Sequence, residues 1–256
     1  MTTKITSPSE LNENTKKLLI ELLYQLADDD LLISYRGSEW LGLVPHIEED
    51  VAYSSIVQNT MGHAKIYYEL LEELGEGKAD DLAHARPAEE RKNAILLEEV
   101  NGEGHWLYQD PKYDWGFTVV RNYFYEIAKK IKIDSLKNSA YEPLAQVAVK
   151  IDSEAMYHKM HWRTWFYELV KAGDKANAKQ RMVDAVQKAW KDVGGLLSLG
   201  PNGKAISDAG LIASEDVLRE KFIAEVKEVF NELGLEYPGE PGMERGDGRA
   251  GTHTPD

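Results

Sequence analysis

Leu19, Leu23, Leu26, Asp30, Ile33 and Gly37 follow one another at alternating steps of four and three, which is one face of an α-helix. The same stepping returns in Ala52, Ile56, Thr60, His63, Tyr67, Leu70 and Leu74, and again in Leu144, Ala148, Ile151, Ala155, His158, Trp162, Trp165 and Leu169. A less regular stripe runs through Val119, Tyr123, Ile127 and Ile131, with Glu126 at its edge. No stretch joins β-branched enrichment to two-residue alternation, so the pattern predicts an all-α chain. Helices are expected at 14–36, 47–75, 116–137, 140–171, 174–196 and 214–232, with weaker helix at 87–99. GLVP (42–45), GEGK (75–78), the long break 101–115, LGPNGK (199–204) and YPGEPG (237–242) separate them. Four long helices with shorter ones beside them, and no repeat of 20–50 residues, predict a four-helix bundle in one domain over 1–238. The Gly-, Pro- and charge-rich segment 239–256 reads as a flexible C-terminal tail, ordered only where a partner or the body holds it.

Polar residues on apolar stripes mark where chemistry would sit. Asp30, His63, Glu126 and His158, one from each long helix, point at the bundle axis. Burying any of them alone is costly, so they must pair with one another, with water or with a metal. For a single inward histidine the plainer explanation is a hydrogen-bonded core residue; four such groups on four helices make a cluster. A di-iron carboxylate bundle would need a Glu-x-x-His pair on two helices to bridge its cations. Here the positions three before the histidines are Thr60, in TMGH, and Ala155, in AMYH. Both bridging glutamates are absent. What remains could hold at most one ion, through Asp30, His63, Glu126 and His158, with Glu154 one helical turn before His158 as a further candidate. In SEAMYHKMH (153–161) the other polar residues, Glu154, Tyr157 and His161, fall on a neighbouring face.

Composition narrows the classes. With 43% hydrophobic and 29% charged residues, no long apolar run and no secretion signal at the start, the chain reads as a cytoplasmic, globular protein without a membrane partner. It has no cysteine, hence no disulfide, thiolate metal site or cysteine nucleophile. Its net charge of -14 opposes nucleic acid, although a local basic patch could still take a CoA ester. The acidic runs 46–50 and 72–81 read as solvated surface.

The run LADDDLLISYRGSEWLG (26–42), then PHIEEDVAYSSIVQNTMGHAKIYYELLEELGEG (45–77), NYFYEIA (122–128), SEAMYH (153–158) and GRAGTHT (248–254) resembles the non-catalytic subunit family of bacterial phenylacetyl-CoA epoxidases, over nearly the whole chain. The resemblance implies a ferritin-like bundle and a structural scaffold role in aerobic phenylacetate catabolism, beside a paralogous catalytic subunit that carries di-iron. That complex would form the ring 1,2-epoxide from dioxygen with electrons from a separate reductase. The paralogue's ligand positions fall on Asp30, Thr60, His63, Glu126, Ala155 and His158. No catalytic residue and no cofactor are therefore expected in this subunit, its own di-iron site being degenerate. The alternative is a stand-alone mononuclear metal oxidase or hydroxylase using Asp30, His63, Glu126 and His158. Pairing would need an exposed apolar surface, for which Tyr35, Trp40, Trp106, Tyr108, Tyr113 and Trp115 are candidates against ordinary packing.

Overall fold

The computed structural model describes residues 4–105 and 110–255. Eight α-helices carry the fold among them: α1 (Glu13–Ser38), α2 (Ile47–Glu73), α3 (Ala79–His84), α4 (Trp115–Leu136), α5 (Glu142–Lys171), α6 (Ala178–Trp190), α7 (Gly203–Asp208) and α8 (Glu215–Leu233). The long helices begin where the sequence supplies a start signal. Asn12 caps α1 by accepting from the Thr15 amide at 2.9 Å, Asp114 caps α4 through the Phe117 amide at 3.2 Å, and Pro143 stands in the first turn of α5. Gly234, with φ +61°, ends α8 in the left-handed conformation.

α1 packs on α2 and α4 on α5, and α2 meets α5 to close the bundle. The stripes named above are the buried faces, from Leu19 and Leu23 to Ala148 and Trp162. α4 departs from the amphipathic pattern because it is central: α5, α6 and α8 all cover it, and nearly every residue from Trp115 to Ile133 is buried. Phe124 of α4 joins Trp190, Phe222 and Phe230 in an aromatic cluster with centroids 5.6 to 6.4 Å from its own. At the α1–α2 crossing a Cβ on Gly37 would meet Val57 Cγ2 at 2.6 Å, so the close approach needs glycine. None of the described helices is long and apolar enough to cross a membrane.

Three expected boundaries change. The weak helix at 87–99 is extended chain with 3₁₀ turns at Ala88–Glu90 and Ile95–Leu97. Its backbone amides are used by α1 instead: Lys92 N donates to Asp28 Oδ2 and Ala94 N to Asp29 Oδ1, each at 2.8 Å. The helix expected at 174–196 is α6 flanked by 3₁₀ turns, and the break at 199–204 runs into α7. A two-residue antiparallel ladder joins Gly102–Glu103 to Lys112–Tyr113, where no strand was expected.

The segment from Gly239, expected to be free unless the body holds it, is held by the body. Gly242 N donates to Trp190 O and Gly194 N to Gly242 O, an approach so close that a Cβ on Gly194 would lie 2.7 Å from Gly242 O. Arg245 bonds Asp192, Arg249 is fully buried against Asp29, and His253 and Thr254 converge on Glu98. The run Asp28-Asp29-Asp30 thus divides its charge among three directions, because successive helical residues point about 100° apart. Asp28 meets Arg86 and Arg91, Asp29 meets Arg249, and Asp30 turns to the bundle axis.

Candidate functional site

Asp30, His63, Glu126 and His158 are at most 2% exposed and meet inside the bundle. Between Asp30 and His63 lies a side chain the stripes did not mark: Lys129, whose Nζ donates to Asp30 Oδ1 at 2.6 Å and stands 3.0 Å from His63 Nδ1. The Tyr125 hydroxyl also donates to Asp30 Oδ1. Burial pushes the Asp30 carboxyl above the usual carboxylate range, and Lys129 and Tyr125 oppose that rise. A lysine bonded to a carboxylate has protons to give, so His63 Nδ1 is the acceptor. Its Nε2–H then donates to Glu154 Oε2 at 2.6 Å. Burial first, and then the charges of Lys129, His158 and Lys150, pull His63 down to about 2, which keeps the ring neutral.

The other half of the cluster is poorly satisfied. Glu126 Oε1 stands 3.6 Å from His158 Nδ1, beyond hydrogen-bond reach, although both side chains are almost fully buried. Glu126 Oε2 and His158 Nδ1 have no hydrogen-bond partner in the protein. His158 Nε2 makes only a long 3.5 Å approach to Asn59. The two imidazoles lie 6.0 Å apart, inclined by 29°. Glu154 does not serve His158, as the one-turn spacing suggested; it reaches across to α2, and His161 turns to Glu49 at 3.0 Å.

These residues do not fit a di-iron centre. Thr60 and Ala155 are buried at the two bridging positions and offer no carboxylate. Lys129 Nζ lies where a cation would contact Asp30 and His63 together. Among the described residues, no group of three or more His, Cys, Asp or Glu is arranged to hold a metal ion. The four expected side chains are therefore brought together, but around a lysine. The sequence held a signal for it. Lys129 is three residues after Glu126 and hence on the same helix face, but in KKIK (129–132) it reads as solvated surface. Only the burial of α4 on all sides reverses that reading.

Two aromatic candidates for an exposed surface are corrected. Trp40 and Trp115 are 4% and 9% exposed and pack edge to face at 5.1 Å, because the Trp40 indole N–H donates to Thr118 inside the fold. Tyr113 packs edge-on against Trp40, Tyr35 is exposed as expected, and Trp106 and Tyr108 lie outside the described residues. The other exposed apolar side chains include Val149, Met156, Tyr157 and Met160 on α5, and Ile47 and Val51 at the start of α2. The helices adjoin there, since Glu49 of α2 accepts from Trp165 and pairs with His161 of α5.

Fold and site together define an all-α bundle, consistent with a ferritin-like arrangement, whose inward polar side chains form a buried cluster around Lys129. The chain belongs to the phenylacetic acid catabolic protein family, which it matches over residues 1–256. It is 30% identical over 231 residues to the C component of the Escherichia coli (strain K12) 1,2-phenylacetyl-CoA epoxidase, spanning 90% of this chain and 88% of that one. It is also 21% identical over 233 residues to the A component of the same enzyme, spanning 87% of this chain and 69% of that one.

Proposed function

We propose that this chain is the non-catalytic, structural subunit of a phenylacetyl-CoA epoxidase, a cytoplasmic scaffold that pairs with a paralogous catalytic subunit, while a separate reductase and further subunits complete the complex. The observation that carries this reading is Lys129, seated between Asp30 and His63 while Thr60 and Ala155 stand at the bridging positions. A lysine there supplies one fixed positive charge and no redox chemistry, so this chain contributes structure and the oxidation falls to its partner. Similarity to both the C and the A components of the Escherichia coli enzyme supports a pair of paralogues that share a fold and divide their roles. The di-iron centre and the CoA-ester substrate belong, on this reading, to the catalytic partner.

The apolar strip on α5 gives the pairing a physical basis. Val149, Met156, Tyr157 and Met160 recur at steps of seven, one and three, on one side of α5, and are 57% to 63% exposed. Such a strip is the kind of surface a partner covers. The test is co-expression with the catalytic paralogue followed by affinity capture and turnover of phenylacetyl-CoA. The reading expects a stable complex, activity that needs both chains, and loss of capture in Met156→Asp/Met160→Asp with unchanged thermal unfolding of the free chain. Failure of the two chains to associate, or full activity of the paralogue alone, overturns it.

A further inference from the structure

We infer that a small cavity between α1, α2 and α4 is a binding site for one structural water molecule, which ties the Asp30–Lys129 pair on the bundle axis to the Asp29–Arg249 pair that holds the C-terminal segment. The cavity measures about 20 Å³, and its polar lining is Asp29, Asp30, Tyr67, Tyr125, Lys129 and Lys132. That is room for a single water and for little else.

Three buried polar groups in this lining call for a partner. The Lys132 side chain is 5% exposed; its ion-pair neighbour among the described residues is Asp29 Oδ2 at 3.7 Å, beyond hydrogen-bond reach, and Nζ makes no hydrogen bond among them. Burial, and then the charge of Arg249, pull this ammonium down to about 8 against Asp29, Asp30 and Glu215, so at neutral pH it still carries three N–H donors. Asp30 takes both Lys129 and Tyr125 on Oδ1, and no donor among the described residues bonds Oδ2. The hydroxyl of Tyr67, a residue 2% exposed, likewise makes no hydrogen bond among the described residues. Buried polar atoms of this kind are nearly always bonded to protein or to ordered water. A water molecule matches the set: its oxygen accepts from Lys132 Nζ and Tyr67 Oη, and its hydrogens donate to Asp30 Oδ2 and Asp29 Oδ2. The charges around it select a neutral dipole, because Lys129 and Lys132 oppose a cation there while Asp29 and Asp30 oppose an anion. Since Asp29 holds Arg249 and Asp30 holds Lys129, such a water makes the two ion pairs one network.

A crystal structure of the full chain, grown in sodium bromide, tests the site. The expected result is a density peak within about 3.2 Å of Lys132 Nζ and of Tyr67 Oη or Asp30 Oδ2, with no bromine anomalous signal. Absence of a peak that bridges these atoms overturns the inference, and so does an anomalous peak, which would make the ligand a halide. In solution a double-mutant cycle reads the bridge, because Tyr67 and Lys132 share no direct hydrogen bond. The effect of Lys132→Met on the urea unfolding constant is expected to differ by roughly fivefold between the wild-type and Tyr67→Phe backgrounds. The same effect in both backgrounds would overturn the bridge. If Lys132→Met does not fold, the crystallographic result decides alone, since it is read on the wild type.

Discussion

Arg249→Ala tests whether the C-terminal segment is a structural clamp. The Arg249 side chain is fully buried and Asp29 is 6% exposed; Nη1 donates to Oδ1 at 2.7 Å and Nη2 to Oδ2 at 2.5 Å, a bidentate pair inside the protein. Burial pulls the guanidinium down, but Asp29, Asp247 and Tyr125 together more than offset that, and the net shift is upward. Truncation leaves Asp29 buried with the Ala94 amide and a more distant Lys132, at 3.7 Å. Removing one partner of a buried pair costs about 3–5 kcal/mol, and the remaining contacts of Asp29 place the expectation near 3. At about 2–4 °C per kcal/mol for a chain of this size, the unfolding temperature should fall by about 6–12 °C. Urea unfolding measured by far-UV circular dichroism gives the free energy directly. The neutral double variant Asp29→Asn/Arg249→Met should recover much of the loss, since it leaves no uncompensated charge. A loss under about 0.5 kcal/mol in Arg249→Ala, the range of ordinary surface substitutions, would refute the clamp.

Asp30→Ala removes the carboxylate of Lys129 and strands a buried ammonium, so it should cost about 3–5 kcal/mol in urea unfolding, whereas Glu154→Ala, at a side chain 48% exposed, should cost about 1 or less; equal losses would show that the assignment of faces is mistaken. His63 titrates near 2 in the fold against a usual 6.5, so the unfolded chain binds the extra proton: its contribution is complete above about pH 6.5 and is lost as pH falls through the window below, at up to about 1.4 kcal/mol per pH unit. His63→Gln should flatten that slope between pH 6.5 and 4.5, and an unchanged slope would assign the acid sensitivity elsewhere. Glu98→Ala frees His253 and Thr254, and amide hydrogen exchange at 250–254 should accelerate while the α4 core stays protected.

Helical periodicity by itself determined the bundle. The steps of four and three from Leu19 to Gly37 and from Leu144 to Leu169 are the packed faces, because a helix facing a core must bury residues at that spacing. It also determined that Asp30, His63 and His158 point inward and that Thr60 and Ala155 break the bridging pattern, since a missing carboxylate is visible in the sequence itself. What fills the site was decided by tertiary structure alone. Lys129 is left unmarked by the stripes because a helical stripe assumes one wet face, and α4 has almost none once α5, α6 and α8 cover it. Arg249 looked like part of a loose tail because composition registers glycine, proline and charge, whereas its place depends on Asp29, 220 residues away in sequence. In both cases one charge could be placed only by finding the opposite charge that folding brings to it, and no local pattern records that pairing.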